Sequence, residues 1–200
     1  MSMVDPTAIL TALANRSPLQ PLTPRSVWDA GLEDAIGKLG GKSWKGSPLD
    51  VLALQSGLHL WNDSLDRSHT ISQEIENGTG SYWHGIMHRM EGDYSNAKYW
   101  FHRVGTHPAM ERLQREAAEW LRSANAGLAD LAPSDQRERL ERLADGTAWN
   151  PFLFVDAVAA QERGQAPAET RGLLERLQQL EMKALADYCF RKAEGEPLAG

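Results

Sequence analysis

Four of the chain's six histidines, His84, His88, His102 and His107, fall in the stretch from Tyr82 to Pro108, which also carries Tyr82, Trp83, Tyr94, Tyr99, Trp100 and Phe101. His84 and His88 are four residues apart. On a helix that spacing points both imidazoles from one face, as two ligands of one metal ion require. The third ligand of such a site would be His59, or Asp63 one turn further along the same element. Gly85 follows His84 where a zinc-protease helix carries its glutamate base, so proteolysis of that type is not indicated. The structural alternative is that these histidines are core residues hydrogen-bonded to carboxylates.

A wider polar set gathers around them: His59, Asp63, His69, His84, His88, Arg89, Asp93, Lys98, Tyr99 and Arg103. Cationic side chains between aromatic walls suit a small anion such as a carboxylate or sugar phosphate, with Arg89 or Arg103 making the bidentate contacts. A His-Asp pair among them would also allow acid-base chemistry near neutral pH. Against this stands a solvated face on which Arg89, Glu91, Asp93, Lys98 and Arg103 form weak ion pairs. Trp61, Trp83, Phe101 and Trp120 fall on apolar stripes and read as core, whereas Tyr82, Tyr99 and Trp100 fall off the stripe and read as groove-lining.

The elements that must position these side chains are helices. Ser47, Pro48 and Asp50 spell a helix start, and from there Val51, Leu54, Leu58, Trp61 and Leu65 recur at steps of three and four. The pattern continues through Tyr94, Ala97, Phe101 and Val104, then through Met110, Leu113, Ala117, Trp120 and Ala124 to Gly127. A short helix follows Ser134, another starts at Asn150-Pro151, and the longest runs from Pro167 to Ala193 with Leu173, Leu177, Leu180, Ala184 and Tyr188 facing inward. LGGKSWKG, Leu39 to Gly46, reads as a loop or small ribbon, and no alternating strand pattern occurs elsewhere.

Two hundred residues with 42% hydrophobic content bury a sizeable core. Three regions are expected: 1–46, a short helix and a Pro-rich linker at RSPLQPLTP; 47–127, the helical core; and 128–200, helices packed on the same domain. A net charge of −6 with no Lys/Arg block argues against nucleic acid and anionic membranes as partners. The one cysteine, Cys189, reads as a buried structural thiol and suits the cytoplasm, and the N-terminus lacks a secretory leader pattern.

Compared with itself at an offset of 29 residues, the chain aligns His59 with His88, Leu65 with Tyr94, Ser68 with Ala97 and Ile75 with Val104. Leu54 and Ser56 fall on Trp83 and Gly85, a large-then-small order that lets helices approach closely. The spacing of Gly85, Ala97, Phe101 and Pro108 resembles one tetratricopeptide hairpin, although such units usually run to about 34 residues. The resemblance implies an all-α fold, an irregular tetratricopeptide-like array of antiparallel helical hairpins. The segment NDSLDRSHTISQEIENGTGSYWHGIMHRMEGDYSNAKYWFHRVGTHP is similar to a group of uncharacterised bacterial proteins, and that likeness implies no catalytic residue. Two functions are expected: a scaffold binding a peptide or protein in a groove, or a binder or enzyme for a small anionic molecule using the His/Arg/Tyr cluster, with or without a divalent metal.

Overall fold

Short polar caps decide where the helices begin. Asp5, Asp29, Ser47, Asn77, Asp93, Ser134 and Asn150 each accept a backbone amide of the first turn that follows, and Ser47 with Asp50 forms a reciprocal capping box. Such a cap contributes roughly 1 kcal/mol to its helix. The computed structural model describes residues 5–196. Among them it has ten α-helices and no strand, with 71% of the model helical, so the fold is all-α. The expected terminal regions extend further, and residues 1–4 and 197–200 lie outside the described residues.

In chain order the helices are α1 (Pro6–Ala14), α2 (Ala30–Gly37), α3 (Pro48–Trp61), α4 (Leu65–Ser72), α5 (Gly78–Glu91), α6 (Tyr94–Val104), α7 (Pro108–Arg122), α8 (Asp135–Asp145), α9 (Pro151–Glu162) and α10 (Arg171–Ala193). Leu65 does not extend the α3 stripe, as its spacing had implied. Asp63 adopts left-handed backbone, φ 65°, which ends α3 and makes Leu65 the first residue of α4. The Leu39–Gly41 segment is a single 3-10 turn, and another at Ala168–Thr170 delays the start of α10 to Arg171.

Close approach between helices rests on small residues. A Cβ at Gly85 of α5 would lie 3.1 Å from the Phe101 ring of α6, and one at Gly57 of α3 would lie 2.2 Å from the Trp83 ring of α5. Between α3 and α4, the Ser56 hydroxyl lies 3.1 Å from both the carbonyl and the hydroxyl oxygen of Ser68. Every residue of α5 from Gly80 to Met90 is buried. Among them is Tyr82, which packs edge-on against Phe101 and His107 and is core, not groove.

One hydrophobic core runs from Ile9 to Ala193, with α10 packed on α3 and α7 and touching α1 and α9. Cys189 sits in it, its thiol pushed up to about 12 by burial. The Pro-rich stretch is packed as well: Leu22 is buried, Gln20 donates to the Leu60 carbonyl and to Asp63, and Arg16 pairs with Asp63 at 2.9 Å. No described helix is long and apolar enough to cross a membrane.

Candidate metal centre

α4 and α5 pack side by side, and the contact brings three imidazoles together. His84 and His88 lie one turn apart on α5 with ring centroids 4.8 Å apart. His69 of α4 stands edge-on to both, at 4.7 Å from His84 and 5.4 Å from His88. One nitrogen from each ring lies within 4.8 Å of the others. Around a tetrahedral zinc ion, with Zn–N of about 2.0–2.1 Å, such nitrogens sit roughly 3.3 Å apart. Side-chain rotation would have to close that gap for the three to share one ion.

The surroundings orient the rings. Nδ1 of His88 lies 3.1 Å from a carboxylate oxygen of Glu91, the kind of outer contact that fixes a tautomer and leaves Nε2 to ligate. Ser72 Oγ stands 3.4 Å from Nδ1 of His84. The Trp100 indole of α6 covers the other side of His84, stacked at 4.0 Å with a 22° tilt. The Asn96 amide nitrogen lies 3.0 Å from Nε2 of His88; turning that amide would offer Oδ1 as a fourth ligand.

Charge favours lone pairs here. Burial lowers the His84 pKa to about 4, and the neighbouring His88 and His69 push the same way. His88 is also lowered, by burial first, against the opposing pull of Glu91. Both rings are therefore held neutral at pH 7, the form that binds a metal ion. Asp93, beside the cluster, is held below the usual carboxylate range chiefly by the Asn96 backbone amide.

Of the residues singled out from the sequence, His69, His84 and His88 converge and the rest divide among other partners. His59 is not the third member of the group, because its Nδ1 faces Glu33 of α2 at 3.0 Å and His69 takes that place. Asp63 holds Arg16 and Gln20. Arg89 is fully buried and reaches α10, where its terminal nitrogen lies 2.6 Å from Glu181; it does not offer a free fork to an anion. Lys98 pairs with Asp156 of α9 at 2.6 Å.

Tyr99 and Arg103 reach the cluster only through Trp100. The Arg103 guanidinium lies 5.3 Å from the Trp100 ring and donates to the Tyr99 hydroxyl, and Tyr99 is exposed. Glu91, Asn96 and Trp100 complete the surroundings of the trio. Of these, Asn96 carried no signal in the sequence beyond its place in the first turn of α6. No family model, curated protein or solved structure matches this chain.

Proposed function

We propose that the chain is a metal-binding helical protein that holds one divalent transition ion, of the zinc class, at His69, His84 and His88. The observation that carries this reading is the convergence of three ring nitrogens from two helices within 4.8 Å. Three imidazoles select zinc, copper or nickel over magnesium or calcium, which take oxygen ligands. Three protein nitrogens leave one position of a tetrahedral ion for water, a small anion or Asn96, so the same site supports the expected small-molecule chemistry.

Cobalt(II) titration tests it. Uptake at the trio is expected to give the intense visible absorption of a tetrahedral nitrogen-ligated ion, with a Kd tighter than about 1 μM, which corresponds to about 8 kcal/mol. His69→Ala and His88→Ala should each abolish the band while His59→Gln keeps it. Absence of the band in wild type, or its persistence in His88→Ala, would overturn the reading.

A second reading is a scaffold that offers a groove of its helices to a peptide or protein. It is supported by the two helical pairs α3–α4 and α5–α6, whose turns share one hydrogen-bond pattern 29 residues apart. We keep the irregular tetratricopeptide-like arrangement, the kinship with the bacterial group and a cytoplasmic location as parts of that proposal, together with the acidic charge that disfavours nucleic acid.

A further inference from the structure

Three cavities among the described residues differ in what their walls leave free. One of about 430 Å³ by α7 and α8 contains Arg122 and Arg137. Both are engaged: Arg122 with the Ala144 carbonyl and Asp145, Arg137 with Glu141 and the Leu131 carbonyl. A second, of about 380 Å³ beside Trp44, contains Lys42, which pairs with Glu194. The third, of about 390 Å³, lies among α2, α3 and α4, and His59, Asp66, Arg67 and Thr70 stand in its wall.

His59 is the buried imidazole of that third wall, its side chain 2% exposed. Its Nδ1 is sealed from solvent 3.0 Å from Oε2 of Glu33, while Nε2 is not among the sealed atoms and takes part in no hydrogen bond among the described residues. Glu33 is fixed in turn: Ser64 and Asn62 donate to it, and Arg67 Nε lies 3.1 Å away. A carboxylate so held favours the tautomer that keeps the proton on Nδ1, which leaves a lone pair on Nε2. Arg67 offers Nε to Glu33; its terminal nitrogens have no partner among the described residues, on a side chain 59% exposed. Asp66 adds an exposed carboxylate, and the Thr70 hydroxyl donates back to the Asp66 carbonyl.

We propose that this cavity binds a small amino carboxylate, an α-amino acid in its zwitterionic form, with its carboxylate on the terminal nitrogens of Arg67 and its ammonium shared between His59 Nε2 and Asp66. A plain anion would satisfy Arg67 while facing Asp66, and a plain cation the reverse. A ligand carrying both signs answers both, and donates a proton to the imidazole acceptor. The volume lies within the range of small-molecule sites, and a buried polar group aimed at open space is a feature of such sites. None of the trio His69, His84 and His88 lines this cavity, so the site stands apart from the proposed metal centre.

Calorimetric titration of the full chain, with a chelator present to keep metal out, provides the test. The twenty standard amino acids are the probes, and acetate and ethylamine serve as half-ligands. At least one amino acid is expected to bind with a Kd below about 1 mM. Each half-ligand should bind at least roughly tenfold more weakly, because it lacks one charge-assisted set of hydrogen bonds. Arg67→Gln, at a largely exposed position, should weaken the bound amino acid by about tenfold without unfolding the chain, and nitrogen NMR of the histidines should show His59 Nε2 moving on binding. Failure of all twenty to bind, acetate binding as tightly as the best amino acid, or an Arg67→Gln variant with unaltered affinity would each overturn the proposal.

Discussion

Asp63 and Gly92 occupy the same place in two turns 29 residues apart. Both have left-handed backbone, φ 65° and φ 88°. After each, the next amide reaches back to a histidine carbonyl at 2.9 Å: Ser64 to His59, and Asp93 to His88. The amides of Asp63 and Gly92 themselves bond to Leu60 and Arg89, completing the paired bonds of a Schellman turn in each case. Glycine takes this conformation freely. Aspartate at the other turn is strained, and its carboxylate holds Arg16 and Gln20.

Asp63→Gly therefore sets two effects against each other. Relief of the left-handed strain stabilises by about 1–2 kcal/mol. Leaving Arg16 buried without its partner costs about 3–5 kcal/mol. The expected net effect is a loss of about 1–4 kcal/mol in urea unfolding, and Gly92→Ala should lose about 1–2 kcal/mol from strain alone. An Asp63→Gly midpoint equal to or above wild type would show that the buried pair contributes no more than the strain it offsets.

The same pair of turns explains what the sequence could and could not disclose. Helix starts at Ser47, Ser134 and Asn150 were legible because caps are local chemistry. The 29-residue offset sets His59 against His88, but alignment is not contact. At corresponding points His59 faces α2, through Glu33, and His88 faces α4, through His69. The two histidines therefore meet different helices, not one another. His69, named in the wider polar set, could be given the third place only by knowing which side of α4 packs on α5. Arg89 was misplaced for a related reason: α5 is buried from Gly80 to Met90, so no solvated face exists there for an arginine to occupy.

Gly57 and Gly85 both admit a neighbouring ring, yet substitution should affect them unequally. An added Cβ at Gly85 meets Phe101 at 3.1 Å, which a slight ring shift relieves, and the helix gains about 1 kcal/mol on replacing glycine by alanine. Gly85→Ala is expected near neutral and Gly85→Leu to lose about 1–3 kcal/mol. At Gly57 the Cβ would clash with the Trp83 ring, 2.2 Å from an atom of a fully buried indole. Gly57→Ala alone should lose about 1–3 kcal/mol. Thermal unfolding of the three variants checks the order, and equal midpoints for Gly57→Ala and Gly85→Ala would remove the proposed difference.

Arg89 and Glu181 form an ion pair with both side chains fully enclosed. Glu181 also accepts from Trp149 Nε1 at 3.2 Å and from the Tyr82 hydroxyl at 3.4 Å, and Arg89 lies 4.4 Å from the Phe154 ring centre. Burial first, and then Glu181, raise the Tyr82 phenol well above its usual range. Arg89→Met leaves the carboxylate buried without its cation and should cost about 3–5 kcal/mol. The double variant Arg89→Met/Glu181→Gln removes both charges, keeps an acceptor for Trp149 and Tyr82, and should recover most of that loss. A double variant as unstable as Arg89→Met would mean that shape, not charge, fixes this corner of the core.

His107 supplies a separable part of the pH dependence, beside the buried His84. Its Nδ1 accepts the Ala109 amide at the start of α7, and Nε2 lies 3.1 Å from the Thr79 hydroxyl. Protonating Nδ1 would destroy that cap and place a positive charge at a helix N-terminus, where the dipole opposes it. Burial lowers its pKa to about 4, against about 6.5 in the unfolded chain. Between those values the unfolded chain binds a proton that the folded chain does not, so stability rises with pH. The contribution is complete above about pH 6.5 and is lost as pH falls toward 4, by on the order of 3 kcal/mol for this one group. His107→Asn keeps a capping oxygen but cannot titrate. Measured by urea unfolding in chelator from pH 7.5 to 4.5, wild type should lose more stability than His107→Asn, with the difference growing below pH 6.5. Parallel curves for the two proteins would show that His107 is not the group that acid strikes.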